Sequence, residues 1–306
     1  LKYRELEKLR NTYVDALPKL VGGDGRVHTK FDQLGAVTGR VSSYDPNLQN
    51  IPVRSDESVD IRKAFVAEEG FKIVSFDYSQ IDLRVAAHIS GDEKMIEAFM
   101  QGEDIHCATA REIFAIAEDK EIFSEMRRVA KTINFGILYG MSSYGLSIRS
   151  DITQHNAKEF IGRYFERFSG VAEYIKNAKE EAKKKGFVET IFGRKRYVKE
   201  LQSRNWQLRA SGERMAINMP IQGTSADIVK IAMRDVWSWL EKLGEKENIK
   251  ILLQVHDELI FEIKDSLIEK SAEKIKNIMQ NAAVLKVPLI VDIKVGENWG
   301  EAKKYA

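Results

Sequence analysis

Residues 251–263 read ILLQVHDELIFEI, with the polar triplet His256-Asp257-Glu258 between two apolar runs. Charged side chains are rarely fully buried unless they are paired or hold a metal ion. The two apolar runs predict two strands joined by a tight turn. The triplet is therefore expected at the tip of a hairpin, where the carboxylate of Asp257 can reach a ligand.

A second acid, Asp77, ends the apolar stretch FKIVSFD at 71–77, which predicts a short buried strand. Taken alone, Asp77 could equally be the N-cap of the helix that follows. Two acids at strand ends of one sheet can, however, converge on hard cations, and carboxylate oxygens suit Mg²⁺. Two such ions about 3.5–4 Å apart would clamp the attacking and leaving oxygens of a phosphoryl displacement.

The chain outside these strands is predicted to be mainly helical. Residues 1–17 carry apolar residues at helical spacing and predict one amphipathic helix, and 27–55 is expected to be extended and rich in loops. A long helical tract is expected from about residue 80 to about residue 239. Its expected interruptions, the last of them a small hairpin, are 90–93, 136–145, 168–170 and 183–198.

The C-terminal part of the sequence alternates helices and strands. Residues 213–243 predict two helices with a break from Pro220 to Gly223, the second helix capped by Thr224 or Ser225. A helix over 265–282 and a strand over 288–296 follow. This is an α+β pattern in which the strands are expected to form one small sheet.

Composition restricts the class of protein. The 306 residues carry a formal net charge of +2, so a nucleic-acid surface would have to be a local patch. The single cysteine, Cys107, excludes an internal disulfide framework. No apolar run approaches the roughly 20 residues that span a membrane, and neither a membrane span nor a secretory signal is expected. Because the chain begins at Leu1 within a helical pattern, it is expected to be part of a larger polypeptide.

The segment RRVAKTINFGILYG at 127–140 combines cations and aromatic rings on one helical face. Residues four positions apart on a helix differ by only about 40° in direction, so such a row forms a stripe. Cations can neutralise a triphosphate while rings stack on a base. The alternative is an amphipathic helix with a solvated basic edge, for which three polar or small residues are poor choices: Thr132, Asn134 and Gly136. The stripe itself consists of Arg127, Lys131, Phe135 and Tyr139.

Three of these segments together resemble the motifs of a known family. DYSQIDLR, RRVAKTINFGILYG and QVHDELIFE are similar, in order and spacing, to motifs A, B and C of family A DNA polymerases, the bacterial DNA polymerase I group. TGRVSSYDPNLQNIPVR and MPIQGTSAD belong to the same pattern. The similarity extends from about Leu1 to Trp299.

The resemblance implies a right-hand polymerase fold, α+β in class, with a small antiparallel palm sheet and a large helical fingers insertion. Residues 1–22 would be the C-terminal end of the thumb. The palm would comprise 23–82 and 256–306, and the fingers 83–255. Nothing in the sequence resembles most of the thumb, a proofreading exonuclease or a 5′ nuclease.

The resemblance also implies the residues of a metal and nucleotide site. Asp77 and Asp257 would be catalytic metal ligands, with the carbonyl of Tyr78 as a further ligand. Arg127 and Lys131 would hold the incoming triphosphate, and Lys131 would also be catalytic.

Further nucleotide contacts follow from the same motifs. His106 and the segment of Gln80 and Ile81 would assist in holding the triphosphate. Phe135 would pack on the sugar and base of the nucleotide, and Tyr139 would occupy the template-base position until the fingers close.

For the DNA, the resemblance implies contacts from several loops and strand ends. Arg40, Gln222 and His256 would read the minor groove or the primer end. Because minor-groove acceptors are nearly the same for all correct pairs, such contacts check shape without reading sequence. Gln49 and Asn50 would contact the region of the duplex backbone.

The expected cofactors are two Mg²⁺ ions, with Mn²⁺ as a possible substitute, and the expected partners are primer-template DNA and dNTPs. The chain is expected to be monomeric, to have no membrane partner, and to be cytoplasmic, associated with the nucleoid if bacterial. A single-subunit RNA polymerase and a nucleic-acid-binding fragment with little activity are the alternatives. DYSQI and QGTSAD favour the DNA polymerase over the RNA polymerase.

Asp82 departs from the family pattern, which usually has a glutamate at this position that blocks a ribose 2′-hydroxyl. Aspartate is one methylene shorter, so one hypothesis is weaker exclusion of ribonucleotides. The alternative is that a backbone shift compensates for the shorter side chain.

Overall fold

The computed structural model describes residues 2–52, 61–114 and 120–305. The final residues of the motif TGRVSSYDPNLQNIPVR, Val53 and Arg54, therefore lie outside the described residues.

The first part of the chain begins with a helix, continues with three strands and ends with a series of helices. These elements are α1 (Lys2–Leu9), β1 (Lys30–Asp32), β2 (Ser42–Tyr44), β3 (Phe71–Tyr78), α2 (Ile81–Ser90), α3 (Glu93–Met100), α4 (Ile105–Phe114), α5 (Lys120–Leu138), α6 (Ser143–Ser150), α7 (Gln154–Arg167) and α8 (Ser169–Lys185).

The second part begins with a small hairpin and a long helix. Its elements are β4 (Phe187–Glu189), β5 (Lys195–Tyr197), α9 (Trp206–Leu243), β6 (Ile249–Val255), β7 (Glu258–Lys264), α10 (Ile268–Gln280), β8 (Val291–Gly296) and β9 (Lys303–Lys304).

The chain forms two compact units. Unit 1 comprises the described residues of Leu1–Ser79, Ala226–Ala282 and Ile290–Ala306, and unit 2 comprises those of Gln80–Ser225 and Ala283–Leu289. Strand β6 lies within the range 83–255 that the resemblance assigns to the fingers, but it is part of unit 1.

Unit 1 is built on a five-stranded antiparallel sheet with the strand order β6-β7-β3-β8-β9. Strand β3 is central, and its register places Asp77 opposite Glu258 on one side and Asp292 on the other. Directly opposed residues of antiparallel strands point to the same face of a sheet. Three acidic residues from three neighbouring strands are thus aligned across the sheet.

The core of unit 1 forms on the apolar positions of these strands. Phe76 and Phe261 are fully buried and pack edge to face, with ring centroids 5.2 Å apart. At another place, the buried side chains of Ile73, Ile260 and Trp299 belong to one cluster. Since each aromatic side chain buries a large apolar area, these contacts stabilise the packing of β3 and β7 near their acidic residues.

The N-terminal segment does not form the single helix predicted for 1–17. Helix α1 ends at Leu9, a π-helical turn follows over Arg10–Val14, and a 3₁₀ turn covers Leu17–Leu20. The buried Tyr13 donates a hydrogen bond from its hydroxyl to the carbonyl of Asn50 at 2.7 Å. The π-helical turn contains Tyr13 and accompanies this long-range contact. Helical periodicity alone does not reveal such a contact.

The predicted break from Pro220 to Gly223 is wrong, because α9 continues without interruption from Trp206 to Leu243. Proline removes one backbone N–H and crowds the preceding turn, a cost of ~3 kcal/mol in an exposed helix. Here Pro220 is buried among apolar residues, and the Tyr174 hydroxyl donates to the nearby carbonyl of Ile217 at 2.7 Å. Ser225 does not cap a helix; its hydroxyl donates to the carbonyl of Ile221 at 3.2 Å.

The prediction of a single small sheet is also incomplete. Besides the five-stranded sheet, the described residues form two separate two-stranded sheets, β1–β2 and β4–β5. The pair β4–β5 is the hairpin predicted within 183–198, closed by a hydrogen bond from Thr190 N–H to the Arg194 carbonyl at 3.0 Å. The strands predicted at 71–77, 251–263 and 288–296 and the helix at 265–282 are confirmed within a few residues.

None of the helices in the described part of the chain combines the length and apolar character needed to cross a membrane.

Candidate active site

In unit 1, Asp77 lies at the carboxyl end of the central strand and is partly buried. The N-cap position of α2 is Gln80, so Asp77 is not the cap of that helix. Burial, together with the negative charges of Glu258 and Asp292, raises the pKa of Asp77 to about 6, against a smaller lowering by Lys294. Burial and the neighbouring negative charges disfavour the ionised form of Asp77, and a bound cation would stabilise it.

The second predicted metal ligand, Asp257, lies in the two-residue turn between β6 and β7. The turn has a left-handed residue, His256, with φ +54°. The backbone N–H of Tyr78 donates to the carbonyl of Asp257 at 3.1 Å, which ties the hairpin tip to the end of β3. The predicted acids are therefore held on adjacent strand ends of one sheet.

The residues present fit a divalent-cation site by the chemistry of their donors. Asp77 and Asp257 offer carboxylate oxygens, and the local excess of acid from Glu258 and Asp292 favours added positive charge. Arg40 lies close to the turn, with its Nη2 3.7 Å from Asp257 Oδ1. Across the described ranges, three or more His, Cys, Asp or Glu side chains are nowhere grouped to hold a metal by themselves.

Of the residues predicted to contact DNA from unit 1, Arg40 and His256 lie at this turn and Gln49 contacts the strand that leads into it. Partial burial and the nearby cations Arg40 and Arg62 lower the pKa of His256, against an opposing effect of Glu258. The side chain of Asn50 is exposed. The predicted duplex contacts of these residues remain predictions.

Gln49 has a structural role that the sequence did not indicate. Its Nε2 donates to the carbonyls of Val41 (3.0 Å) and Gln254 (2.9 Å), and its Oε1 accepts from Ser43 N–H at 3.1 Å. Gln254 in turn donates to the carbonyl of His256. Gln49 thereby connects the β2 segment to the strand that leads into the Asp257 turn.

In unit 2, the predicted stripe is carried by α5. The guanidinium of Arg127 lies next to Asp104, with Nη2 2.5 Å from Oδ2. The other oxygen of Asp104 accepts the backbone N–H groups of His106 (2.8 Å) and Cys107 (3.1 Å) at the start of α4. Burial alone would raise the pKa of Asp104, but Arg127 and these N–H groups hold it below its ordinary value. Lys131, one turn further along α5, is exposed.

The aromatic half of the stripe forms a stack. The ring planes of Phe135 and Tyr139 differ by 29° and their centroids are 6.1 Å apart, and the His106 ring is 5.7 Å from Phe135. The Tyr139 hydroxyl donates to Oδ2 of the buried Asp82 at 2.8 Å. The motif A residue that departs from the family pattern is therefore connected directly to motif B.

The remaining predicted residues of unit 2 occupy helix ends or helix interiors. Gln80 has a left-handed backbone, φ +56°, and its carbonyl accepts the first hydrogen bonds of α2, while Ile81 is buried in the first turn. Gln222 lies in the middle of α9 and is partly buried.

Two of the three residues that seemed unsuited to a surface helix, Asn134 and Gly136, have structural reasons. Asn134 is fully buried and hydrogen-bonded to His106 and Thr109. At Gly136 a Cβ would lie 3.0 Å from Met141 Sδ, too close for an ordinary contact. Sequence reasoning missed Asp104 and Asn134 as neighbours of the predicted site; a signal for Asp104 was its position just before α4, typical of an N-cap.

Comparisons with known proteins agree with the motifs. The profile of DNA polymerase family A matches residues 1–301. A thermostable DNA polymerase I of Thermus filiformis is 50% identical over 99% of this chain and 36% of its own length. DNA polymerase I of Pseudomonas aeruginosa is 46% identical over 99% of the chain and 33% of its own length.

A solved structure is similar over nearly the whole chain. It is the POL domain of Pol1 from M. smegmatis in complex with DNA primer-template and dNTP, with a TM-score of 0.93 and 43% identity. The similarity covers 98% of this chain and 52% of that one. The chain thus spans about a third of the length of the curated relatives it matches.

Proposed function

The chain belongs to DNA polymerase family A, and from this premise we propose that it catalyses template-directed addition of dNMP to the 3′ end of a DNA primer. The observation that carries the proposal is the pair of acids, Asp77 and Asp257, on adjacent strand ends linked through the backbone of Tyr78. Similarity to a POL domain solved in complex with DNA primer-template and dNTP supports the same partners for this chain.

In the proposed reaction the primer 3′-oxygen attacks the α-phosphorus of the dNTP. A new P–O bond forms, the bond between the α-phosphorus and its bridging oxygen breaks, and pyrophosphate leaves while the hydroxyl proton passes to solvent. Asp77, Asp257 and the carbonyl of Tyr78 would hold two Mg²⁺ ions, or Mn²⁺ in their place. When bound, the ions would supply charge stabilisation for the attacking and leaving oxygens.

The chain's own side chains would position the reactants. Arg127 and Lys131 would bind the triphosphate, assisted by His106 and the backbone at Gln80 and Ile81. Most of the expected rate enhancement would come from positioning and charge stabilisation, because phosphoryl transfer asks for little covalent chemistry from the protein.

Base and DNA contacts would be divided among the remaining predicted residues. Phe135 would pack on the nucleotide, and Tyr139 would take the template-base position in the open state. The primer-template would be contacted by Arg40, Gln49, Asn50, Gln222 and His256.

The proposed subdomains follow the family. Residues 1–22 would be the end of the thumb, 23–82 and 256–306 the palm, and 83–255 the fingers. Strand β6 falls within the range 83–255, but it pairs within the sheet of unit 1. The palm sheet would therefore include residues 249–255 as well.

Primer extension tests the proposal. The chain is incubated with Mg²⁺, a primer-template of defined sequence and either dNTPs or rNTPs, in parallel with Asp257→Ala. Template-directed extension with dNTPs that is lost in Asp257→Ala is the expected result. Preferential extension with rNTPs would indicate an RNA polymerase, and DNA binding without extension would indicate a binding fragment.

A further inference from the structure

A chain of buried hydrogen bonds joins helices α4 and α5 at His106. Thr109 and Asn134 are fully buried, and His106 as a whole residue is only 2% exposed. The Thr109 hydroxyl lies 2.7 Å from the carbonyl of Ile105, Asn134 Nδ2 lies 3.1 Å from the Thr109 oxygen, and the same Nδ2 lies 3.0 Å from His106 Nδ1. Buried polar groups of this kind are costly unless each has a partner.

The donor and acceptor of each hydrogen bond can be assigned in turn, starting from Thr109. The Thr109 hydroxyl has a single proton, and the Ile105 carbonyl is its nearer acceptor, since Asn134 Oδ1 is 3.2 Å away. The Thr109 oxygen therefore accepts one proton of the Asn134 amide. The second amide proton points to His106 Nδ1, which must then be the unprotonated ring nitrogen.

We propose that Asn134 is a positioning residue that fixes His106 as the neutral tautomer with its proton on Nε2. The backbone carbonyl of Ile105 orients the hydroxyl of Thr109, and the hydroxyl orients the amide of Asn134. The amide then determines which ring nitrogen of His106 carries the proton. His106 then presents one N–H donor away from Asn134, and it does so without carrying a charge.

On balance, burial and the charged groups around His106 lower the pKa of its ring and so favour the neutral form. Burial lowers the pKa of His106 to about 4; Asp104 opposes this shift, while Lys131 and Arg127 add to it. On the other side the ring contacts Phe135, which carries no charge. A fixed neutral donor beside Arg127 and Lys131 avoids the repulsion that a further positive charge would add.

The inference rests on the proposed function, in which His106 assists in holding the triphosphate. A donor that stays on Nε2 can bind a phosphate oxygen at any pH near neutrality, and the ring stays uncharged when pyrophosphate departs. Asn134 would therefore affect nucleotide affinity and its pH dependence without touching the nucleotide.

Ring nitrogen NMR on the intact chain tests the tautomer directly. In ¹⁵N-histidine-labelled protein, two-bond ¹H–¹⁵N correlation distinguishes the protonated from the unprotonated ring nitrogen, and the signals missing in His106→Gln identify His106. The expected result is a bare Nδ1 and a protonated Nε2 that do not titrate between about pH 6 and about pH 8. A proton on Nδ1, or titration with a midpoint in this range, would overturn the proposal.

Matched variants test the relay. Asn134→Leu and Thr109→Val remove the polar groups with little change in volume and are expected to give mixed tautomers. Thr109→Ser retains the hydroxyl and should restore the wild-type spectrum. Asn134→Asp places a carboxylate against Nδ1, so His106 should become an imidazolium whose titration rises into the observed range. If the tautomer were the same in all four variants, Asn134 would not position the ring.

Nucleotide affinity separates this proposal from the proposed function. In the presence of primer-template, Thr109→Val and Asn134→Leu are expected to raise the Kd for dNTP about two- to tenfold, the range of one neutral hydrogen bond. His106→Ala is the reference variant. If His106→Ala left the Kd unchanged, the role of His106 in nucleotide binding would be wrong. If His106→Ala weakened binding and Thr109→Val did not, only the positioning role would be refuted.

Discussion

The carboxylate of Asp77 should make the metal-free protein less stable above pH 6. The side chain is partly buried at the end of β3, and its register neighbours on both sides, Glu258 and Asp292, are acids. These features raise its pKa from 3.8 to about 6. We therefore expect Asp77→Asn, which removes the charge and keeps the shape, to stabilise the protein in the absence of divalent cations.

The sign and size of the effect follow from proton linkage. Between pH 3.8 and about 6 the folded state holds a proton on Asp77 that the unfolded state has released, so stability falls as the pH rises through this window. Each pKa unit corresponds to ~1.4 kcal/mol, which gives about 3 kcal/mol for the full shift. Allowing for solvent screening of a partly exposed group, we expect about 1–3 kcal/mol at pH 8 and almost none near pH 4.

Urea denaturation in EDTA at these two pH values measures the difference. Mg²⁺ should stabilise the wild type, by ~2.7 kcal/mol at a hundred times its Kd, and should have much less effect on Asp77→Asn. Glu173→Gln, at an exposed position of α8, is the matched control and should change stability by less than about 0.5 kcal/mol. The reasoning is refuted if Asp77→Asn is no more stable than the wild type at pH 8 in EDTA.

Three further changes have defined expected outcomes. Asp82→Glu adds the methylene that the family usually has, so the ratio of single-turnover rates for dNTP and rNTP should rise about two- to tenfold; an unchanged ratio would support compensation by the backbone. Gln49→Leu removes the hydrogen bonds to the carbonyl of Gln254 and its neighbours. It should lower the free energy of unfolding, measured in urea, by about 1–3 kcal/mol. A loss below about 0.5 kcal/mol would contradict the structural role of Gln49. Glu262 has no exposed side-chain surface and binds Arg26 at 2.7 Å, so Glu262→Gln should cost about 2–4 kcal/mol at neutral pH. Burial raises the pKa of Glu262, but Arg26 and its other partners hold that pKa below its ordinary value of 4.5. The cost of Glu262→Gln should therefore shrink as the pH falls below about 4.5. A cost that does not depend on pH would count against the ion pair.

The strands that carry the acids were predictable because their signal is local. The apolar runs of 71–77 and 251–263 each bury a face within a few residues, and the polar triplet could only be accommodated at a turn. The alignment of Asp292 with Asp77 was not predictable, because register between strands separated by more than 200 residues is set by the whole sheet. Asp292 therefore appeared in the sequence as an ordinary strand residue.

The errors came from tertiary contacts that override local preference. Pro220 was expected to end a helix, but burial of its neighbours holds the helix together and Tyr174 supplies a hydrogen bond nearby. Asn134 looked out of place on a surface helix because its partner His106 comes from α4, 28 residues away. In each case the deciding partner is distant in sequence, and one sequence without homologues does not reveal it.

The most direct test of the central claim is single-turnover primer extension by Asp257→Asn. Asparagine keeps the shape of the β6–β7 turn and removes the charge that is proposed to bind the metal. At saturating primer-template, dNTP and Mg²⁺, with DNA affinity measured separately by fluorescence anisotropy, the rate should fall about 100-fold or more because several kcal/mol of charge stabilisation is lost. DNA affinity should change little. An Asp257→Asn protein that extends the primer at the wild-type rate would contradict the assignment of Asp77 and Asp257 as the metal-binding pair.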